Sequence, residues 1–512
     1  MIRGPARLAV LLLAAVCAAW AVASLWWPFQ SDHGVYAWMA DVVLQGGMPY
    51  RDAWDVKGPT ALVPSLAAQL LTGRTTWGIR ALDLLMVGAT AAAIYRILAA
   101  WTSRSPAAIT ALLWILLYAS VGFAGTAQPD GFWSMLLLLG VTPWLRERRV
   151  GPVALVLTGA VIAGLTLLKP IYLAFAILPV IGVVMPAPAD RRVPRDLGLL
   201  AAGYGAACVI VVGGLAAGGA FDPFIDAYIS FNVAKNSGGL AAHLLSSLSD
   251  GIVAQPLWII LLAAAVAGAV ALHSIHPRAA VMLGAWIVAA LITIHLQRPF
   301  YAYRLHLISP ALAVLAGFGL ARAAQAGGAS RVLAAALACG VALIVGRAPA
   351  AQAAHWAWHV PGPGSRTALL ERSRFLSTTG AGERRLVQTF ASGTDPDDRV
   401  YAFRHPAVYF LADREAASRL SIYAAFGAGA PAGYVERHRD ELAQELESAP
   451  PRMIALPDDD TVQHPCLGCF EPLSGMPESA SRLAPRYRLL RRADGFVVFI
   501  QADSLPTEPR LP

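Results

Sequence analysis

The chain has 512 residues, 57% hydrophobic and only 14% charged, where soluble domains carry roughly 25% charge. That composition excludes an ordinary soluble protein and marks an integral membrane one. The formal charge of +8 lies in short basic clusters between apolar runs and not on one face, which argues against nucleic acid as a partner and for a topological signal.

The N-terminus, MIRGPAR followed by apolar Leu8 to Trp27, has the basic start of a signal peptide and a cleavable-looking AVAS at Ala21 to Ser24. A retained anchor is the preferred reading, because the run is long enough to span and ends in Trp26, Trp27 and Pro28, like an interfacial belt.

The stretch Ser31 to Pro59 then places Asp32, His33, Asp41, Arg51, Asp52, Asp55 and Lys57 between two membrane-grade segments of a charge-poor chain. Further apolar segments follow at Trp77–Ala100, Ala107–Ala124, Phe132–Leu145, Pro152–Leu168, Tyr172–Met185, Leu197–Gly219, Ile252–His273, Ala279–His295, Leu307–Ala324 and Val332–Val345. With the first, this predicts about 11 transmembrane helices in a mainly α, polytopic bundle. When the segments alternate, Arg3 and Arg7, Arg96 and Arg104, Arg146 to Arg149, Arg191 to Arg195, Arg278, Arg322 and Arg331 share one side, cytoplasmic by the positive-inside rule. The outer side receives the Ser31–Pro59 stretch, the AQPD loop around Asp130, the loop Phe221–Gly251, the QRPFYAYRLH loop Gln297–His306 and the C-terminal region.

From Pro361 charge rises, long apolar runs stop, and PGPG at 361–364 marks a linker. Residues 1–348 are expected to form the transmembrane domain, with the first outer loop at 29–76, and 349–364 a linker. Residues 365–512 are expected to be a small extracytoplasmic α/β domain, with strand-like runs at Arg399–Phe403, Arg452–Leu456 and Gly495–Gln501 and a helix at Tyr434–Glu447. DPDD at 395–398 reads as a turn, since it lacks the glycine and later glutamate of a calcium loop. Five cysteines exclude a disulfide scaffold, and Cys466 with Cys469, near His464, reads as a local turn because no second pair follows at zinc spacing.

Asp32 sits just past the first apolar segment, where a carboxylate must be solvated or paired. A helix there puts Tyr36 on the same face at i+4, although Asp32 also suits a simple N-cap. Lys57, before a Gly-Pro break, suits a phosphate or merely anchors the surface. Asp130 follows Pro129, and Lys169 with Pro170 ends another helix on the same expected side. Arg298, Tyr301, Tyr303, Arg304 and His306 combine cations and phenols at a helix entrance, which suits an anionic headgroup or an aromatic belt.

In order, Asp32 with Tyr36, GGMPYRDAWDVKGP, the Pro-Asp of AQPD, Lys169-Pro170 and YAYRLHLISP resemble the GT-C membrane glycosyltransferases over almost the whole chain. The bacterial branch related to lipid A aminoarabinose transferases and protein O-mannosyltransferases is the most similar. The resemblance implies transfer of a sugar from a polyprenyl-phosphate donor to a lipid, glycan or protein hydroxyl on the outer face of the bacterial inner membrane, by inverting single displacement. It implies Asp32 as catalytic base, Tyr36 as the aromatic of the same helix, Lys57 as the donor-phosphate lysine and Asp130 as the second acidic residue. Tyr301 and Tyr303 would stand beside the donor. Lys169, Arg298, Arg304 and His306 join the donor side, as does Asp55, without an individual role. His33, Val56 and Gly58 depart from the family pattern, the first two where acids are common, so a divalent cation stays open and no cofactor is required.

The chemistry suits these residue types: a cation stabilises charge developing on a leaving phosphate, and a carboxylate accepts the proton of the attacking hydroxyl. A secondary transporter is the less favoured alternative, because the acids and bases gather at helix ends and no repeated halves are evident. A polysaccharide polymerase or ligase is the nearer rival, but the Phe221–Gly251 loop holds Lys235 alone and no arginine.

Overall fold

In the computed structural model of the chain, the described residues are 4–27, 29, 31–148, 150–185, 193–235, 256–297, 301–359, 379–426, 430–458, 481–493 and 495–504. Arg298, Cys466, Cys469 and His464 lie outside them.

The helices run in the order α1 (Gly4–Ser24), α2 (Ser31–Leu44), α3 (Val63–Thr72), α4 (Thr76–Trp101), α5 (Arg104–Ser120), α6 (Pro129–Leu145), α7 (Pro152–Leu168), a 3-10 turn (Pro170–Ala176), α8 (Ile177–Val184) and α9 (Val193–Ala217). Next come α10 (Phe221–Phe224), α11 (Phe231–Lys235), α12 (Pro256–His273), α13 (Pro277–His295), α14 (Ser309–Ala326) and α15 (Gly328–His359). The C-terminal region holds α16 (Thr379–Gly393), β1 (Arg399–Ala402), α17 (Ala407–Ala412), β2 (Glu415–Ala416), α18 (Ala432–Ser448), β3 (Met453–Pro457), β4 (Tyr487–Ala493) and β5 (Phe496–Gln501).

Among the described residues the expected apolar segments fall on helix, and five helices there are by length and composition able to cross a membrane: α1, α4, α9, α13 and α15. Shorter apolar helices accompany them, so this is a multi-pass membrane protein. Proline opens α6, α7 and α13, where its missing N–H costs nothing and its fixed φ suits the first turn. One departure concerns the expected linker 349–364: α15 continues through 349–359, because AQAAHWAWH is alanine-rich and favours helix.

The chain divides into two compact units. Unit 1 comprises Met1–Trp27, Ile79–Gly213 and Gly239–Pro361, and holds the apolar helices. Its aliphatic core also takes in Trp20, Trp114, Trp144 and Trp286, all fully buried. Helices α7 and α9 meet through glycines: a Cβ on Gly159 would lie 2.1 Å from Leu200 O, and one on Gly203 would lie 2.0 Å from Val156 O. Only residues without a side chain allow backbones that close.

Unit 2 comprises Pro28–Gly78, Gly214–Gly238 and Gly362–Pro512. Its five-stranded sheet has the order β2-β1-β3-β5-β4, with β2, β1 and β3 parallel and β3, β5 and β4 antiparallel. The three expected strands and the expected helix are present, and DPDD is a turn: Asp398 N–H donates to Asp395 O at 3.0 Å. Side-chain packing holds the first outer stretch to the C-terminal part of this unit. Trp38 of α2 packs on Tyr409 and Phe29 on Phe410, both partners on α17. Gly34 of α2 lies against α17 with no room for a side chain, since an added Cβ would fall 2.6 Å from Ala407 Cβ. Gly34→Val is therefore expected to destabilise unit 2 by about 1–3 kcal/mol, read as a lower melting temperature.

Candidate active site

Two clusters of ionisable side chains stand out, one in each unit. In unit 2, α2 presents Asp32 and Tyr36 one turn apart on the same face, as the i, i+4 spacing requires. The Lys57 ammonium donates to Asp32 Oδ2 at 3.0 Å, touches the Tyr36 hydroxyl, and lies 4.8 Å from the centre of the Tyr36 ring. Lys57 and Asp32 are 17% and 30% exposed, so the pair is partly shielded yet reachable.

The backbone around Lys57 is held from several directions. The Tyr50 hydroxyl donates to Lys57 O at 2.7 Å, and Asn232 Nδ2 of α11 donates to Val56 O at 2.8 Å. Tyr50 itself is fully buried with φ +69, a left-handed conformation that a tyrosine keeps only when tied. Arg419 ties it: Nη1 donates to Tyr50 O at 2.7 Å, while the same guanidinium grips the Glu441 carboxylate bidentately. Trp54 adds a backbone hydrogen bond to Arg419 O at 3.0 Å, and its ring packs edge-on against His438 and Phe231. Asp55 is buried, one oxygen accepting from Val56 N–H at 2.8 Å and the other without a hydrogen-bond partner among the described residues. Burial pushes its carboxyl above the ordinary range, against the opposing effect of nearby Lys57.

In unit 1, Pro129 opens α6 and puts Asp130 in the first turn, where the helix dipole favours a carboxylate. Lys169, at the extended C-cap of α7, donates to Asp130 Oδ1 at 2.7 Å and to the Tyr172 hydroxyl at 3.1 Å; that hydroxyl also donates to Asp130. Gln297 Nε2 donates to the Tyr172 hydroxyl at 3.1 Å, and Arg304 Nη1 donates to Gln297 O at 3.1 Å. Asp130 is 1% exposed, and its charge is met by this set. The Arg304 guanidinium lies 5.1 Å from the centre of the Tyr301 ring, which stacks on Tyr303 at 5.5 Å and 8°. Tyr301 is 46% exposed and Tyr303 half-buried. His306 is turned inward instead, donating from Nε2 to Gly125 O at 3.0 Å, with burial pushing its pKa down to about 4. It is a neutral packing partner there.

The structure thus joins Asp32, Tyr36 and Lys57, with Asp55 beside them in sequence, and separately joins Asp130, Lys169 and Arg304. Tyr172, Tyr50, Asn232 and Arg419 were not foreseen. The Lys-x-x-Tyr spacing of Lys169 and Tyr172 was a readable signal, whereas nothing local marks Asn232 or Arg419 as partners of the Lys57 loop. Among the described residues no group of three or more His, Cys, Asp or Glu is placed to hold a metal ion.

ArnT from Cupriavidus metallidurans bound to undecaprenyl phosphate is similar with a TM-score of 0.57 and 18% identity, over 98% of this chain and 100% of that one. The same protein in its apo state gives 0.52 and 16%, over 96% and 97%. The fold is that of the GT-C membrane glycosyltransferases. No family model matches the chain, and no curated protein matches it.

Proposed function

We propose that this GT-C protein transfers a sugar from a polyprenyl-phosphate donor to a hydroxyl acceptor on the outer face of the bacterial inner membrane, with the N-terminus cytoplasmic. The observation that carries the reading is the contact of one ammonium, Lys57, with both a carboxylate and a phenol, Asp32 and Tyr36, at a partly exposed position. The ligand of ArnT, undecaprenyl phosphate, supports a lipid phosphate as the leaving group.

In this mechanism the donor phosphate takes over the Lys57 ammonium, and the displaced Asp32 carboxylate turns to the acceptor hydroxyl. The hydroxyl oxygen attacks the anomeric carbon, its proton passes to Asp32, and the carbon–oxygen bond to phosphate breaks with its electron pair leaving on the phosphate. Lys57 then meets more negative charge in the transition state than in the ground state, which is what lowers the barrier. Tyr36 keeps the ammonium aimed through its hydroxyl and ring face. Asp130 is assigned as the second acidic residue, kept ionised by Lys169 and Tyr172, and Tyr301, Tyr303 and Arg304 as donor-side contacts; Arg298 and His306 belong to the same loop. Asp55 acts next to Lys57, and no step is routed through a metal ion.

The test is reconstitution of the purified protein with polyprenyl-phosphate-linked sugars and an envelope extract as acceptor. The expected result is release of polyprenyl phosphate in equal amount to glycosylated product. Failure of the protein to bind polyprenyl phosphate at all would overturn the reading.

A further inference from the structure

Three buried polar residues of unit 1 have no part in the steps above. Arg80, Asp83 and Tyr118 are each at most 2% exposed, on apolar helices α4 and α5, where an ionised side chain is costly and persists only for a reason. All three converge on one short segment, 121–128, which links α5 to α6.

The Tyr118 hydroxyl donates to Asp83 Oδ1 at 2.5 Å and accepts the Ala127 N–H at 2.9 Å. Arg80 Nη1 donates to Thr126 Oγ1 at 3.0 Å and Nη2 to Phe123 O at 3.2 Å. The imidazole of His306 lies over the Tyr118 ring, with centroids 4.3 Å apart, while its Nε2 holds Gly125 O. The segment so fixed contains Ala127 at φ +56, a left-handed conformation that alanine leaves readily unless it is tied. Gln128 follows as the N-cap of α6, and Asp130 stands in the first turn. The tied residue is three positions from the carboxylate.

We infer that Arg80, Asp83 and Tyr118 are positioning residues that hold the 121–128 turn in its left-handed form and thereby set where α6 presents Asp130. The inference rests on the assignment of Asp130 to the transfer reaction. Asp83 orients the Tyr118 hydroxyl so that its lone pair faces Ala127 N–H; Arg80 gathers the carbonyl oxygen and hydroxyl that a loosened turn would strand in an apolar interior. Without the Tyr118 hydroxyl, Ala127 relaxes toward negative φ and Asp130 is misplaced relative to Lys169 and Tyr172.

The experiment compares Tyr118→Phe, Ala127→Gly and the double variant with wild type, by transfer kinetics and by melting temperature, with Asp130→Asn alongside. Tyr118→Phe is expected to lower kcat at least tenfold with KM for the donor within twofold. Because glycine adopts the left-handed form without a tie, adding Ala127→Gly is expected to recover at least threefold of the lost kcat, and to raise the melting temperature more in the Tyr118→Phe background than in wild type. A double variant no better than Tyr118→Phe would overturn the positioning role, as would wild-type kcat in Tyr118→Phe while Asp130→Asn is inactive. Wild-type kcat in Asp130→Asn would instead remove the assignment of Asp130, a result the other variants cannot mimic.

Discussion

Asparagine in place of Asp32 is expected to lower kcat for sugar transfer about 1,000-fold while leaving the donor affinity within a few-fold of wild type. The substitution keeps the shape of the side chain and an oxygen able to accept from Lys57, which sits 3.0 Å from Asp32 Oδ2, so the lysine stays in place. What disappears is a group able to take the proton of the attacking hydroxyl. Measuring turnover and polyprenyl phosphate binding on the same preparation separates the two effects. Turnover at the wild-type rate would remove Asp32 from the mechanism.

Lys57→Ala is expected to act on the other side of that division, weakening binding of polyprenyl phosphate about 100-fold, or about 2.7 kcal/mol. Two things change together: the phosphate loses its cation, and Asp32 loses the ammonium that offsets its charge in a partly buried position. Lys57→Arg preserves the charge but replaces a compact ammonium held under Tyr36 by a wider fork, so an intermediate loss is expected. An unchanged dissociation constant for Lys57→Ala, by titration of the reconstituted protein, would refute the phosphate role. Tyr50 and Asn232 hold the carbonyls of Lys57 and Val56, so the ammonium is aimed by a fixed backbone and not by a mobile tail.

Asp32, Tyr36, Lys57, Asp130 and Lys169 were legible because charge is scarce in this chain, and a polar residue kept beside apolar segments needs a partner or water. Their pairings were half legible: the i, i+4 face of α2 follows from helix geometry, but Lys57 reaches Asp32 from 25 positions away, through the irregular stretch that follows Leu44. The supports were not legible at all. Arg419 meets Tyr50 across 369 positions, and Asn232 meets Val56 across 176, and no local pattern encodes such partners.

The same limit applies to the grouping of the first outer loop with the C-terminal region. Composition changes sharply at 361, and that signal speaks only of solvent preference. The chain by itself determined what local chemistry determines: where apolar runs make helices, where β-branched runs make strands, and which charges are too costly to be accidental. Tertiary structure alone decided that residues 28–78 and 214–238 fold with the C-terminal sheet. The hydrophobic drive that buries Trp38, Trp54 and Phe410 has no direction, so their partners are chosen by shape and by hydrogen bonds that exist only once the chain has closed on itself.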